Sequence, residues 1–307
     1  VEDNRNYYVS FMLAGRASEA DLPCAYRVFG QMYQNGEYIE KSNKKAEESY
    51  KIALAHGDYL SEYYLGNIEY SKGDYSKAFY HYSQTSIYIN EGRLKSYTPL
   101  MALAHCYYEG KGTEKDIKKA ADYYLSAGIM NANNVASEFY RCISSANDDD
   151  ISPAQKEDYF LRMISADCRR AEFYYGQYLE SIGEISKALE QYNLGADKGD
   201  MRCCFELICY YSYAQGKKTY QNRNTALKCF ELFLAMYEKE SDPSFIKTIK
   251  SDGIYSKILF WYALELDIGE YNLKPDSKQA LYYYRKCLSS ESAAWCFPSL
   301  LTIAEGF

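Results

Sequence analysis

Three histidines, ten cysteines and 42 acidic residues are the side chains of this 307-residue sequence that could carry chemistry, so their spacing is read first. His56, His81 and His105 lie in separate segments, none with a second His or a Cys at ligand spacing on one helix, and no His-Glu-x-x-His occurs. They read as isolated structural or surface histidines. Cys203, Cys204 and Cys209, with Cys229, could imitate a zinc cluster, but no Cys-x-x-Cys pair is present and the spacing suits helix faces. Asp148-Asp149-Asp150 lacks the alternating oxygen ligands, the glycine and the closing glutamate of a calcium loop, and stands ahead of a capped helix instead. Gly110-x-Gly112 lacks the third glycine and the lysine-serine ending of a phosphate cradle. No Gly-x-Ser-x-Gly is there to expose a nucleophile. The expectation is a chain with no catalytic residues, no metal and no cofactor.

Composition narrows the partners. Net charge is -7 and no Lys/Arg block offers the counterion release that drives nucleic-acid binding, so nucleic acid is excluded. No run approaches the roughly 18 apolar residues of a membrane span. The sequence begins at Val1 without an initiator Met, which favours export of a processed or longer protein. The cysteines have two readings, buried thiols packed as small hydrophobes or disulfides in an oxidising compartment. In the second, Cys204 or Cys209 pairs with Cys229, Cys142 with Cys168, and Cys287 with Cys296.

The elements that must position these residues follow from a repeat. Alanine and tyrosine signals recur, marked by Ala46, Ala78, Ala120, Ala188, Ala226 and Ala280, and a period of a few tens of residues signals a solenoid. In Leu103–Gly128 an apolar helix carries Leu103, Ala104 and Tyr107 on one face and ends at Gly110 and Gly112; a second helix carries Ala120, Tyr123, Tyr124 and Ala127 at helical spacing. The small residues are placed where two helices approach closely. Gly30, Gly66 and Gly176 hold the corresponding place in other copies, and Leu207–Phe230 and Tyr262–Tyr284, with Gly269 between its helices, are further ones. Between Asn134 and Arg170 the glycines vanish, yet Ser152-Pro153-Ala154-Gln155 is a complete helix start that predicts another hairpin. Asp74, Asp116 and Asp276 stand where they would cap second helices.

The predicted fold is all-α, an α-solenoid of about seven helical hairpins in a single 1–307 array: an N-terminal helix or cap over 1–21, repeats over 22–290, and a C-terminal capping helix over 291–307. Tyr33, Tyr107, Tyr123, Tyr192 and Tyr284 fall at core marks. Positions one or two residues off those marks on first helices point to the inner wall: Arg27, Gln31, Gln34, Tyr63, Asn67, Tyr70, His105, Tyr108, Gln177, Glu180, Phe260 and Asp267. Such a polar and aromatic surface suits a protein partner.

The order Ala, Leu-Gly, Tyr, Gly-x-Gly, Asp, Lys-Ala, Tyr-Tyr, Ala, Gly resembles the Sel-one-like repeat family, a relative of tetratricopeptide repeats, over about residues 22 to 290. The resemblance implies a right-handed superhelix whose first helices line a concave wall, and a non-enzymatic protein binder. Some bacterial relatives are periplasmic and neutralise secreted toxins, including lipase effectors of type VI secretion systems. The implied function is therefore an exported, periplasmic immunity protein engaging a cognate toxin through its concave face or rims. The alternative is a multi-partner scaffold or adaptor in envelope assembly or signalling, with a cytoplasmic location also open. Some cysteine-rich relatives carry disulfides between the helices of adjacent or single repeats, with the paired cysteines about eight apart, a spacing that Cys287 and Cys296, nine apart, approximate.

Overall fold

A computed structural model describes residues 2–130, 135–212, 223–239, 246–247, 253–268 and 276–288. Among these residues the regular elements are α-helices and no strand occurs, as the repeat pattern predicts. The chain divides into two compact units, 1–171 and 172–307. In the first, α1 (Glu2–Glu19) precedes four hairpins: α2 (Pro23–Asn35) with α3 (Asn43–Ala55), α4 (Leu60–Ser71) with α5 (Tyr75–Asn90), α6 (Thr98–Glu109) with α7 (Ile117–Ile129), and α8 (Val135–Ser145) with α9 (Pro153–Ser165). In the second, α10 (Ala171–Ser181) pairs with α11 (Ile185–Asp197), α12 (Met201–Tyr211) with α13 (Arg223–Lys239), and α14 (Ile254–Ile268) with α15 (Ser277–Leu288). The described residues thus hold seven hairpins. The segment 291–307, read as a capping helix, lies outside them, as do Gly269 and Cys296.

A seam in which a buried alanine stands four residues before a buried aromatic ring runs through six of the seven hairpins. Tyr50 of α3 lies on Gly30 of α2, Tyr82 of α5 on Gly66 of α4, and Tyr192 of α11 on Gly176 of α10. At each glycine an added Cβ would sit under 3.0 Å from ring carbons, so the ring occupies the space a side chain would need. Four residues before each ring, Ala46, Ala78 and Ala188 are fully buried; Ala120 before Tyr124, Ala226 before Phe230 and Ala280 before Tyr284 repeat the pattern. Small residues here bring the axes close enough for a large ring to fill the interhelical gap, and burying each ring contributes on the order of 2 kcal/mol.

The hairpin without glycine marks shows why they are missing. Its ring is Phe160, and four residues earlier stands Lys156, buried, its ammonium donating to Ala146 O at 2.8 Å and pairing with Asp148 at 3.1 Å. A satisfied buried lysine replaces the alanine and ties down the connection from α8 to α9.

Caps agree with the sequence. Ser152 and Gln155 form a reciprocal capping box on α9, and Asp74, Asp116 and Asp276 accept from the backbone N–H of Lys77, Lys119 and Gln279. Gly110 ends α6 with φ 70°, a left-handed conformation that a side chain would strain. Gly112 follows with its Cα against the Tyr75 carbonyl, so the α6–α7 turn docks on the start of α5.

The nine cysteines within the described residues are free thiols, and the Cys287–Cys296 pairing reaches outside them. Cys142 is buried with its thiol donating to Ile117 O at 3.6 Å, while Cys168 has its sulfur against Gly128 beside Met163, so no Cys142–Cys168 bridge forms. Neither Cys204 nor Cys209 is bridged to Cys229, and Cys287 lies buried with its thiol donating to Ser256 O at 3.4 Å. These are small apolar fillers of helix seams, with burial pushing the Cys106 thiol up to about 11 and the Cys142 and Cys204 thiols up to about 12. The register of α7 also differs by one residue. Tyr124 is the fully buried ring, whereas Tyr123 is half-buried and stacks on Tyr107 at 5.7 Å. Tyr33 is likewise half-buried, beneath the Lys45 ammonium at 5.4 Å.

Candidate functional site

Each seam tyrosine buries its ring between two helices and carries a hydroxyl that must still be satisfied, because a buried hydroxyl without a partner loses its hydration uncompensated. In four hairpins the first helix supplies the partner, Gln34, Asn67, His105 or Glu180. Numbered from the seam residue (Gly30, Gly66, Ala104, Gly176, Ala263), three rows run along the first helices. One lies three residues before, one just after, and one four residues after.

The tyrosine hydroxyls select from the second and third rows. Tyr50 donates to Gln34 Oε1 at 2.8 Å, and Tyr82 to Asn67 Oδ1 at 2.8 Å. Tyr124 pairs with His105 Nδ1 at 3.0 Å. Gln31 is held across hairpins, its Nε2 donating to the Tyr64 hydroxyl of α4 at 2.7 Å. The Tyr64 ring stacks on Tyr50 at 5.2 Å, which fixes the hydroxyl that receives it. Desolvation pushes the Tyr50, Tyr82 and Tyr124 hydroxyls well above the ordinary tyrosine range, so they stay protonated. The same cause lowers the His105 imidazole, with Glu138 opposing and Arg141 reinforcing the shift.

Around these side chains the remaining positions of the first unit, Arg27, Tyr63, Tyr70 and Tyr108, are half-buried, and three of them are aromatic. Arg27 Nε meets Asp58 at 2.9 Å. Tyr63 packs its ring against Tyr82 at 5.7 Å, and Tyr70 accepts from Lys111 at 2.9 Å. Tyr108 lies between the Arg141 guanidinium at 5.0 Å and the Lys115 ammonium at 5.8 Å. Tyr64, Lys111 and Arg141 are members of this surface that the sequence pattern did not single out. Arg141 belongs to the hairpin without glycine marks, and the reach of Lys111 from its turn depends on tertiary packing.

The second unit uses the same scaffold with other chemistry. Glu180, in the third row, accepts from Tyr192 at Oε2, 3.0 Å, and from Tyr210 of the next hairpin at Oε1, 2.6 Å. Gln177 is half-buried on the same helix. Asp267 is half-buried and close enough to Tyr284 for its charge to raise that hydroxyl. Phe260 does not belong to the surface: it is 8% exposed and packs on Tyr284 at 5.9 Å, because an apolar ring in this row turns inward where polar side chains stay out. Among the described residues no three His, Cys, Asp or Glu side chains converge as a metal site, and no helix is long and apolar enough to cross a membrane.

Comparison with known proteins gives a repeat family and a fold. The family model described as the Sel1 repeat matches residues 22–58, 59–86, 100–131, 191–236 and 259–286. No curated protein matches the sequence. Among solved structures, a protective antigen present in uropathogenic Escherichia coli strains, displaying an SLR fold, superposes with a TM-score of 0.52 at 17% identity over 90% of this chain. This chain spans 55% of that protein. A Sel1 repeat protein from Oxalobacter formigenes gives a TM-score of 0.44 at 19% identity, over 69% of this chain and 87% of its own.

Proposed function

This chain belongs to the Sel1 repeat family, and from that premise we propose that it is a non-enzymatic protein-binding module that engages its partner through the first-helix rows of residues 1–171. The observation that carries the reading is the set of tyrosine-held side chains Gln31, Gln34, Asn67 and His105, flanked by the half-buried rings of Tyr63, Tyr70 and Tyr108. Pre-oriented polar groups beside rigid aromatic rings lose little conformational entropy on association, which is what a protein-recognition surface needs. Repeat families of this kind serve in general as protein–protein interaction modules.

The narrower form of the proposal is occlusion of one partner in equal stoichiometry, as a toxin-neutralising immunity protein would do, in an exported setting. Its support is the family resemblance alone.

Co-purification followed by native mass measurement tests the reading. Asn67→Arg, which places a long cation in the middle of the surface, is expected to release the partner at least tenfold, whereas Glu190→Lys on the exposed side of α11 retains it. Retention by both variants sinks the assignment of the surface. Several weak partners in place of one would replace occlusion by a scaffold, and turnover on any substrate panel would end the non-enzymatic reading.

A further inference from the structure

Among the described residues, large apolar side chains reach solvent at scattered positions, but α1 gathers four of them within six residues. Tyr8 is 46%, Val9 49%, Met12 43% and Leu13 59% exposed. Isolated apolar side chains on a surface need no partner, whereas a contiguous set marks a contact. Helical spacing makes this set contiguous. Val9, Met12 and Leu13 stand at i, i+3 and i+4, with Tyr8 four residues before Met12 and the exposed Arg16 four residues after it. The opposite face is already engaged. Ala14 is buried, and the Phe11 ring packs on Phe29 at 5.7 Å and on Tyr38 at 5.3 Å. One apolar face of α1 is thus docked on the first hairpin, and the other is turned to solvent.

We infer that this stripe is a self-association surface, on which α1 of a second copy of the chain lies antiparallel about a two-fold axis at Met12. A two-fold interface uses one patch twice, so the patch must complement its own reversed image. Reversal about Met12 sets Tyr8 of one copy against Arg16 of the other, a ring facing a guanidinium. It also sets Val9 on Gly15, where nothing stands within 4 Å of an added Cβ, so the branched side chain has room. Met12 meets Met12, and an unbranched thioether adapts to its own image. A parallel pairing would instead place Arg16 against Arg16 and align the two helix dipoles, which charge and dipole both oppose. Tyr38, exposed and with its ring 5.5 Å from that of Tyr8, widens the strip at one end. The 18 residues of α1 span about 27 Å, a contact at the small end of specific interfaces, so the association is weak and reversible. The stripe shares no residue with the partner surface proposed above, so a pair carries that surface twice, with the gain in avidity that two linked sites bring.

Sedimentation velocity of the full chain between about 1 and 300 μM reads the association. The wild-type chain is expected to shift from monomer to dimer across that range. Met12→Arg, which puts like charges on the axis, and Gly15→Leu, which fills the space Val9 needs, should each weaken the dimer about tenfold or more. Both positions lie on the exposed side of the helix, so neither variant should lower the urea midpoint, and Gly15→Leu should raise it. Cross-linking fixes the register. In a Cys24→Ser background, which removes the exposed thiol, Met12→Cys should form a disulfide-linked dimer, with diamide taking up the two thiol hydrogens. Glu19→Cys should not, since its two copies lie about 21 Å apart along the pair. Monomer at every concentration overturns the inference. So does a dimer that either Met12→Arg or Gly15→Leu leaves intact, or cross-linking through Glu19→Cys in preference to Met12→Cys. A monomer that floats with phosphatidylglycerol vesicles, and loses them on Met12→Arg, would give the stripe to a lipid surface and overturn it equally.

Discussion

The hairpins of residues 1–171 and those of residues 172–307 solve the same problem with opposite chemistry. In both, a tyrosine ring fills the space above a glycine, as Tyr50 does on Gly30 and Tyr192 on Gly176. The hydroxyls of Tyr50 and Tyr192 are each drawn to the first helix of their own hairpin. The first unit answers with Gln34, Asn67 and His105, which leave a second polar atom outward; the second answers with Glu180, whose two oxygens take two hydroxyls. The seam is thus fixed by packing, while the acceptor is free to vary. Surface chemistry can change along a repeat array without disturbing the core beneath it.

If the seam is common property, Gly30→Ala and Gly176→Ala should be equally damaging. Each new methyl meets a fully buried ring that has nowhere to move, an overpacking worth about 2 kcal/mol and larger than the helix-propensity gain of about 1 kcal/mol. Urea midpoints of the two variants measure this. Gly15→Ala is the control, since nothing lies within 4 Å of its added Cβ, and it should stabilise. A tolerated Gly176→Ala beside a damaging Gly30→Ala would mean that the units do not share their seam.

Removing hydroxyls separates the acceptors. Tyr192→Phe breaks a bond to a carboxylate and should cost about 1.5–3 kcal/mol, against about 1 kcal/mol for Tyr82→Phe, whose acceptor is a neutral amide. In the last hairpin the buried Tyr284 hydroxyl meets no hydrogen-bond partner among the described residues, so Tyr284→Phe should be neutral or slightly stabilising by the same measurement.

Exchanging the acceptors themselves has a smaller effect. Glu180→Gln retains one oxygen and loses the charge that two hydroxyls share, for an expected loss of about 1 kcal/mol. Asn67→Asp keeps its bond from Tyr82 and should shift stability by less than about 0.5 kcal/mol. Equal losses would erase the distinction between a saturated and a half-used acceptor.

The scaffold was legible in the sequence because its signals are local. Gly30, Gly66 and Gly176 recur with an alanine and a ring at helical spacing after them, and Ser152-Pro153-Ala154-Gln155 fixes the start of α9 by backbone capping alone. What escaped depends on rotation and on tertiary partners. Tyr123 and Tyr124 are adjacent aromatics, and composition does not say which one faces the seam. Lys156 fills an alanine position only because Ala146 O and Asp148 await its ammonium. Phe260 shares a row with Arg27 and Tyr63, yet packs inward against Tyr284. The candidate surface was proposed from phase, whereas the bonds of Tyr50, Tyr82 and Tyr124 that orient its side chains join residues 15 or more apart in sequence.

The gentlest test uses pH, because the first unit holds an imidazole, His105, that can gain a proton on acidification, and the residue in the same row of α10, Gln177, cannot. His105 is held neutral chiefly by desolvation; Glu138 and Glu109 favour its charged form, and Arg141 and Lys111 oppose it. Its folded pKa lies below the ordinary value of about 6.5, so below that pH the unfolded chain binds more protons than the folded one. The stability this group contributes is complete above about pH 6.5 and is lost as pH falls through the lowered folded value. His105→Gln keeps a side chain able to meet the Tyr124 hydroxyl and cannot charge. The urea midpoint of the wild-type chain should therefore fall more steeply between pH 7 and pH 5 than that of His105→Gln, with the two meeting most closely near pH 7. Parallel curves would show that His105 gains its proton in the folded chain as readily as in the unfolded one, and that the Tyr124 hydroxyl does not depend on a neutral imidazole.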